Sequence, residues 1–163
     1  MNFGDLLPPD SHAVRLAKAS QAPDGEPPGG AFELRKEIDE EELSVGWAEY
    51  FKDPVTEEEQ VSVLLQHLRR NNKPNPTGRV LWVDVAFARL LLRGVEDLAN
   101  VEFVYSPVKD KPGVADDPCH ASIVGLFPLP EPMRQLAALQ IALAVTANCR
   151  WRDLVKSGMA PAG

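Results

Sequence analysis

Thr56-Glu57-Glu58-Glu59-Gln60-Val61-Ser62-Val63-Leu64-Leu65-Gln66-His67-Leu68-Arg69-Arg70 is the stretch that decides the fold class. Thr56 with Glu59 three residues on forms a capping box, in which each side chain satisfies the other residue's backbone N–H. Glu57 and Glu58 suit the positive end of a helix dipole, and Arg69 and Arg70 suit its negative end. Val61, Leu64, Leu65 and Leu68 recur at i, i+3, i+4 and i+7, giving one apolar stripe. Asn71 to Gly78, with Pro74 and Pro76, stops the helix.

Strand-like patterns flank this helix. His12-Ala13-Val14-Arg15-Leu16-Ala17-Lys18 alternates with a period of two. Ala31-Phe32-Glu33-Leu34-Arg35 alternates likewise, and the aromatic-rich run Leu43 to Phe51 reads as a further strand. Its rival reading is a strand to Val45 followed by a helical turn bearing Trp47, Tyr50 and Phe51. Beyond the helix, Arg79 to Val85 reads as a buried strand and Ala86 to Leu92 as a short helix. Val101 to Tyr105 and Cys119 to Leu126 read as two more strands, with a polar loop 106–118 between them. Pro132 stands near the first turn of a last helix whose apolar positions run from Met133 through Ala144 and Val145. That helix is apolar nearly all round, so a core or a subunit interface is expected for it. The fold class expected is a single α+β domain, residues 1–163, with a mixed or mostly antiparallel sheet of five to six short strands and two principal helices. Residues 20–30, rich in Pro and Gly, read as a flexible loop, and 157–163 as a frayed end.

Composition narrows the function. Apolar residues make up 44% of the 163 residues and charged residues 25%, as in an ordinary globular domain. The net charge of −7 and a pI near 5.0 argue against a general nucleic-acid binder and against docking on an anionic membrane. No signal peptide is readable in Met1 to Pro9, and the apolar run 136–147 is too short to span a bilayer. Cys119 and Cys149 then read as reduced thiols in a cytoplasmic protein.

Three groups of polar residues invite chemistry. Cys119-His120 follows the turn Asp116-Asp117-Pro118, but adjacent strand residues point to opposite faces, and no second Cys/His pair stands at zinc spacing. No metal or cofactor is therefore expected. His12 and His120 each begin a strand after a Pro-containing turn. If those strands are neighbours in the same direction, His12, Arg15 and His120 supply a base, an acid and an anion clamp. Asp84, at a strand end, resembles the lone carboxylate of many Mg²⁺ enzymes. Glu37 to Glu42 forms an acidic run. With Trp47 and Tyr50, the carboxylates Glu40 and Glu41 are the candidate surface for a basic protein partner.

The stretches Leu7 to Arg15, Ala31 to Arg35, Glu42 to Trp47 and Asp117 to Ala121 resemble those of short bacterial proteins, a resemblance that carries no mechanism. Arg35 followed by the Ser44-bearing strand resembles the strand signature of ADP-ribosyltransferase-type folds, without their catalytic glutamate motif. Phosphate-binding glycine loops, HExxH and nucleophile elbows are absent. The leading expectation is an acidic cytoplasmic protein that binds another protein as an accessory, adaptor or neutralising subunit. The last helix is its candidate surface for a homo-oligomer. The alternative is a His-dependent hydrolase or transferase acting on a phosphate-bearing or nucleotide substrate.

Overall fold

In a computed structural model, which describes residues 1–36, 41–51, 56–71 and 74–161, the capping box closes as its residues require. Thr56 N donates to Glu59 Oε2 at 3.0 Å and Glu59 N to Thr56 Oγ1 at 3.3 Å. The helix, α1, runs Glu57–Asn71 and buries Leu64, Leu65 and Leu68.

These leucines land on a six-stranded sheet. Its strands are β1 (His12–Ala17), β2 (Leu43–Trp47), β3 (Arg79–Asp84), β4 (Glu102–Tyr105), β5 (His120–Val124) and β6 (Val145–Arg150). Their order is β4-β5-β2-β1-β3-β6, with every neighbouring pair antiparallel. Gly46 of β2 is what lets α1 approach. A Cβ at this position would stand 3.0 Å from Leu64 Cδ1 and 3.2 Å from Leu68 Cδ2.

The remaining helices are α2 (Val85–Arg93), α3 (Glu131–Leu143) and α4 (Trp151–Lys156). The chain is thus α+β, with one open antiparallel sheet and α1 and α3 as its long helices. One face of the sheet carries the larger core, where Ala13, Val45, Val83, Phe103 and Ile123 meet Val85 and Leu92 of α2 and Ala138 and Ile141 of α3. On the other face, Val14 and Val80 meet Leu64, Leu65 and Leu68 of α1 and Trp151 and Leu154 of α4. No residue of β4 or β5 belongs to this second core. Among the described residues no helix covers that half of the face, which carries His120 and Ser122 beside Val104 and Val124.

The structure departs from the sequence expectations at three places. Residues 31–35 do not pair as a strand. Ala31 ends a 3-10 turn, and the irregular segment after it drives Phe32 and Leu34 into the core, which explains their spacing of two without any sheet bonds. The strand expected over 43–51 stops at Trp47, and a 3-10 turn, Ala48–Phe51, follows. That outcome falls between the two readings of this stretch.

The last helix ends at Leu143 rather than running on, and Val145–Arg150 is the edge strand β6. No Gly or Pro marks that change. The turn is made at Ala144 (φ −90°, ψ 4°), and β6 is held by its register against β3. Within residues 20–30 the structure shows contacts with the rest of the chain. Ala22 is fully buried, and Asp24 binds Arg79 at 2.9 Å and Arg150 at 3.1 Å. After α4 the chain folds back through 160, where Ala160 is buried and Met159 and Ala160 donate to Leu154 O. No helix among the described residues is long and apolar enough to cross a membrane.

Candidate functional site

The uncovered half of the α1 face is organised by register. Val14 of β1 pairs with Gly46 of β2, and Gly46 pairs with His120 of β5. β1 and β5 therefore run in the same direction, as a convergence of their histidines requires, but β2 lies between them. Two strand spacings separate them by roughly 10 Å, and His12 stands two residues further along than Val14.

His12 is committed elsewhere. Its Nδ1 lies 2.7 Å from Glu49 Oε1, and its backbone N donates to the same carboxylate at 2.8 Å. Arg15 alternates to the other side of β1 from His12; the β1–β2 pairing stops at Val14, and where the strands part Arg15 donates from Nε to Ala31 O and from Nη1 to Ser44 O at 2.7 Å. The structure thus keeps His12 apart from His120, while Arg15 and His120 share the lining of one groove.

Around His120 a chain of side chains runs inward. Nδ1 lies 2.7 Å from Ser106 O and 3.0 Å from Ser106 Oγ. Ser106 Oγ lies 2.6 Å from Ser122 Oγ, and Ser122 Oγ donates to Glu42 Oε1 at 2.7 Å. The proton positions follow from these partners. A carbonyl only accepts, so Nδ1 of His120 carries a hydrogen. Glu42 takes the Ser122 proton, so Ser122 accepts from Ser106. Every donor then points from His120 toward Glu42.

Ser106 and Ser122 are 4% and 0% exposed, so this network supplies the partners that buried hydroxyls need. His120 Nε2 has no hydrogen-bond partner among the described residues. The order of donors also means that His120 does not deprotonate Ser106, so the pair is not an activated serine.

The groove is about 1160 Å³ and carries an inverted charge balance. The chain as a whole has 17 Lys and Arg against 24 Asp and Glu. Among the described residues the groove is lined by Arg15, Lys18, Arg35, Arg79, Lys109 and Lys111 and by the carboxylates Glu42 and Asp117. Arg79 is nearly buried and is held by Asp24, whose carboxyl is kept below the ordinary aspartate range by Arg150 first and Arg79 next.

The other candidates find structural partners. Cys119 is fully buried and its thiol donates to Asp117 Oδ1 at 3.0 Å; burial first, then the Asp117 charge, pushes the thiol up. A thiol that resists ionisation is a poor nucleophile. Cys149 is pushed up as well, chiefly by burial, and both cysteines are free. Asp84 caps α2, accepting from Phe87 N at 2.9 Å. Among the described residues no group of three His, Cys, Asp or Glu is placed to hold a metal.

Trp47 meets Tyr50 and Tyr105 edge-on, and Tyr50 stacks on Tyr105 at 6.0 Å between centroids, so these rings pack on one another. Tyr105 ties β4 to the turn before β5 by donating to Pro118 O at 2.9 Å, and burial pushes its hydroxyl up to about 12. Glu41 is exposed just before β2, and Glu40 lies outside the described residues. Sequence reasoning missed Ser106, Ser122, Glu42 and the cationic lining. The one local signal was Ser122, a hydroxyl inside the apolar run Ala121 to Val124.

Comparison with protein-family models, with curated proteins and with solved structures returns no match.

Proposed function

We propose that the protein works by binding, as an accessory or adaptor subunit whose cationic groove receives an acidic, extended segment of a partner protein. The observation that carries this reading is the charge balance of the groove: among the described residues six Lys and Arg, of which Arg79 is paired with Asp24, and two carboxylates line it, in a chain with net charge −7. A cleft lined by one sign of charge focuses the field and steers ligands of the opposite sign. Its volume exceeds the roughly 300–1,000 Å³ of common small-molecule pockets, which favours a segment of chain over a single metabolite. The partner this implies is acidic, opposite in sign to the one that the 37–42 run suggests.

Fluorescence anisotropy of a labelled oligoglutamate peptide tests the reading, with an oligolysine peptide as control. Oligoglutamate binding that weakens with added salt is the expected result. No binding, or preference for oligolysine, overturns it.

One observation favours a second reading, acid–base chemistry on a phosphate-bearing substrate: His120 has a fixed Nδ1–H, and its Nε2 has no partner among the described residues, in a cationic groove. That reading retains His120 as the base and gives His12 no part. It requires a phosphoesterase activity that His120→Ala abolishes while the fold survives.

A further inference from the structure

We propose that the outer edge of β6 pairs with the same edge of a second copy of this chain, antiparallel about a two-fold axis at Asn148. One sheet then runs through both copies. None of the residues 145–150 lines the groove, so this surface does not rest on the binding reading above.

The chain treats the two edges of its open sheet differently. At β4 the N-terminal segment lies along the strand: Gly4 N donates to Tyr105 O, Tyr105 N to Asp5 O and Leu7 N to Phe103 O. β6 is the other edge and pairs only with β3. Trp151 N donates to Gly78 O, which fixes the alternation of the ladder. Ala147 and Cys149 turn their backbone groups toward β3, and Asn148 and Arg150 turn their N–H groups outward. Among the described residues neither outward N–H meets a backbone partner.

Little guards this edge against pairing. The strand Val145–Arg150 holds no Pro and no Lys, and its one charged residue, Arg150, binds Asp24 at 3.1 Å. The irregularity in its pairing lies at Trp82 and Val83, near the start of β6, and leaves Ala147–Arg150 regular.

Such an edge takes an extended strand, because a strand offers N–H and C=O groups at matching intervals. A second copy brings that strand with it, and antiparallel pairing about a two-fold axis is self-complementary. With the axis at Asn148, each Asn148 N–H meets the Asn148 carbonyl of the other copy. Charge favours a copy as the occupant. Residues 145–149 are uncharged in a chain of net charge −7, so two copies meet here without repulsion. Arg150 comes opposite residue 146 of the other copy, beside the cleft which that residue shares with Asp24 and Glu26. Leu143 lines the same cleft and is 52% exposed, which adds apolar surface at the rim of the contact.

Sedimentation equilibrium over a range of protein concentrations tests the pairing, with circular dichroism to confirm that each variant is folded. The unaltered chain is expected to form a reversible dimer. Asn148→Pro removes the outward N–H and no bond to β3, a position where an edge strand tolerates proline. It is expected to weaken the dimer about tenfold or more, through loss of both hydrogen bonds at the axis. Asn148→Lys and Asn148→Asp each set like charges opposite one another across the axis, and each alone is expected to weaken the dimer. Mixed in equal amounts, these two variants are expected to associate with each other more tightly than either does with itself. A defect within one copy cannot be repaired by mixing.

A chain that stays monomeric at every concentration overturns the proposal. So does a dimer that folded Asn148 variants leave as tight as before, or a mixture of the Lys and Asp variants that associates no better than its components. Should Asn148→Pro fail to fold, the mixture of charged variants decides.

Discussion

The hydroxyls of Ser106 and Ser122 lie 2.6 Å apart on neighbouring antiparallel segments, and between them they join a histidine at the groove to a carboxylate eighty residues from Ser122 in sequence. Removing either hydroxyl leaves a buried group one partner short. Ser122→Ala takes the acceptor from the Ser106 hydroxyl and a donor from Glu42. We expect a loss of about 1–3 kcal/mol, read from urea unfolding. A loss no larger than that of an exposed Ser→Ala change contradicts the network.

Two glycines are expected to differ in how badly they tolerate a methyl group. Gly125 has φ +86°, and a Cβ there would lie 2.4 Å from Asn100 O, a backbone atom with little freedom to move. Gly125→Ala should cost at least about 2 kcal/mol. At Gly46 the obstacles are the flexible ends of Leu64 and Leu68, so Gly46→Ala should cost about 1 kcal/mol. Denaturant melts of both variants check the order, and the reverse order contradicts the packing of α1 on β2.

Asp24 offers a test of sign. Its carboxyl is held low by Arg150 and Arg79, so its contribution is fully present above the ordinary aspartate range, near 4, and is lost as pH falls through the lower folded value. Asp24→Asn should therefore lower the melting temperature at neutral pH, by a modest amount because the side chain is exposed. The gap from the parent chain should close in acid. A gap constant with pH contradicts the clamp.

Cys119 should be inert in the folded chain. Its thiol is fully buried and raised, so alkylation by iodoacetamide at mildly alkaline pH should reach it only on unfolding. Peptide mapping with and without denaturant checks this. Rapid native labelling contradicts the placement.

What was legible in the sequence was local. The capping box of Thr56 and Glu59 specified α1, and the alternation of β1 and the firm break at Pro74 and Pro76 were equally self-contained. The Ala86 to Leu92 helix was readable from its composition, although its cap, Asp84, looked like a metal ligand. β6 was hidden because Val145 and Ala147 continue the apolar pattern of α3, and its strand state comes only from pairing with β3. The candidate site was hidden for a related reason. Ser106, Ser122 and Glu42 meet only because β5 lies between β4 and β2, and the groove exists only because α1 and α4 leave that half of the face uncovered. Strand order is a tertiary fact, so the parallel course of the two histidine strands could be anticipated but not the strand that separates them.

The central claim is that the cationic groove is the binding surface, and titration of the isotope-labelled protein with unlabelled oligoglutamate, followed by amide chemical shifts, tests it most directly. Saturating shifts at Lys18, Ser44, Ser106, Lys109 and His120, with α2 and the outer face of α3 around Leu139 and Leu143 unmoved, are the predicted result. Shifts confined to α2 and α3, or none at all, would contradict it.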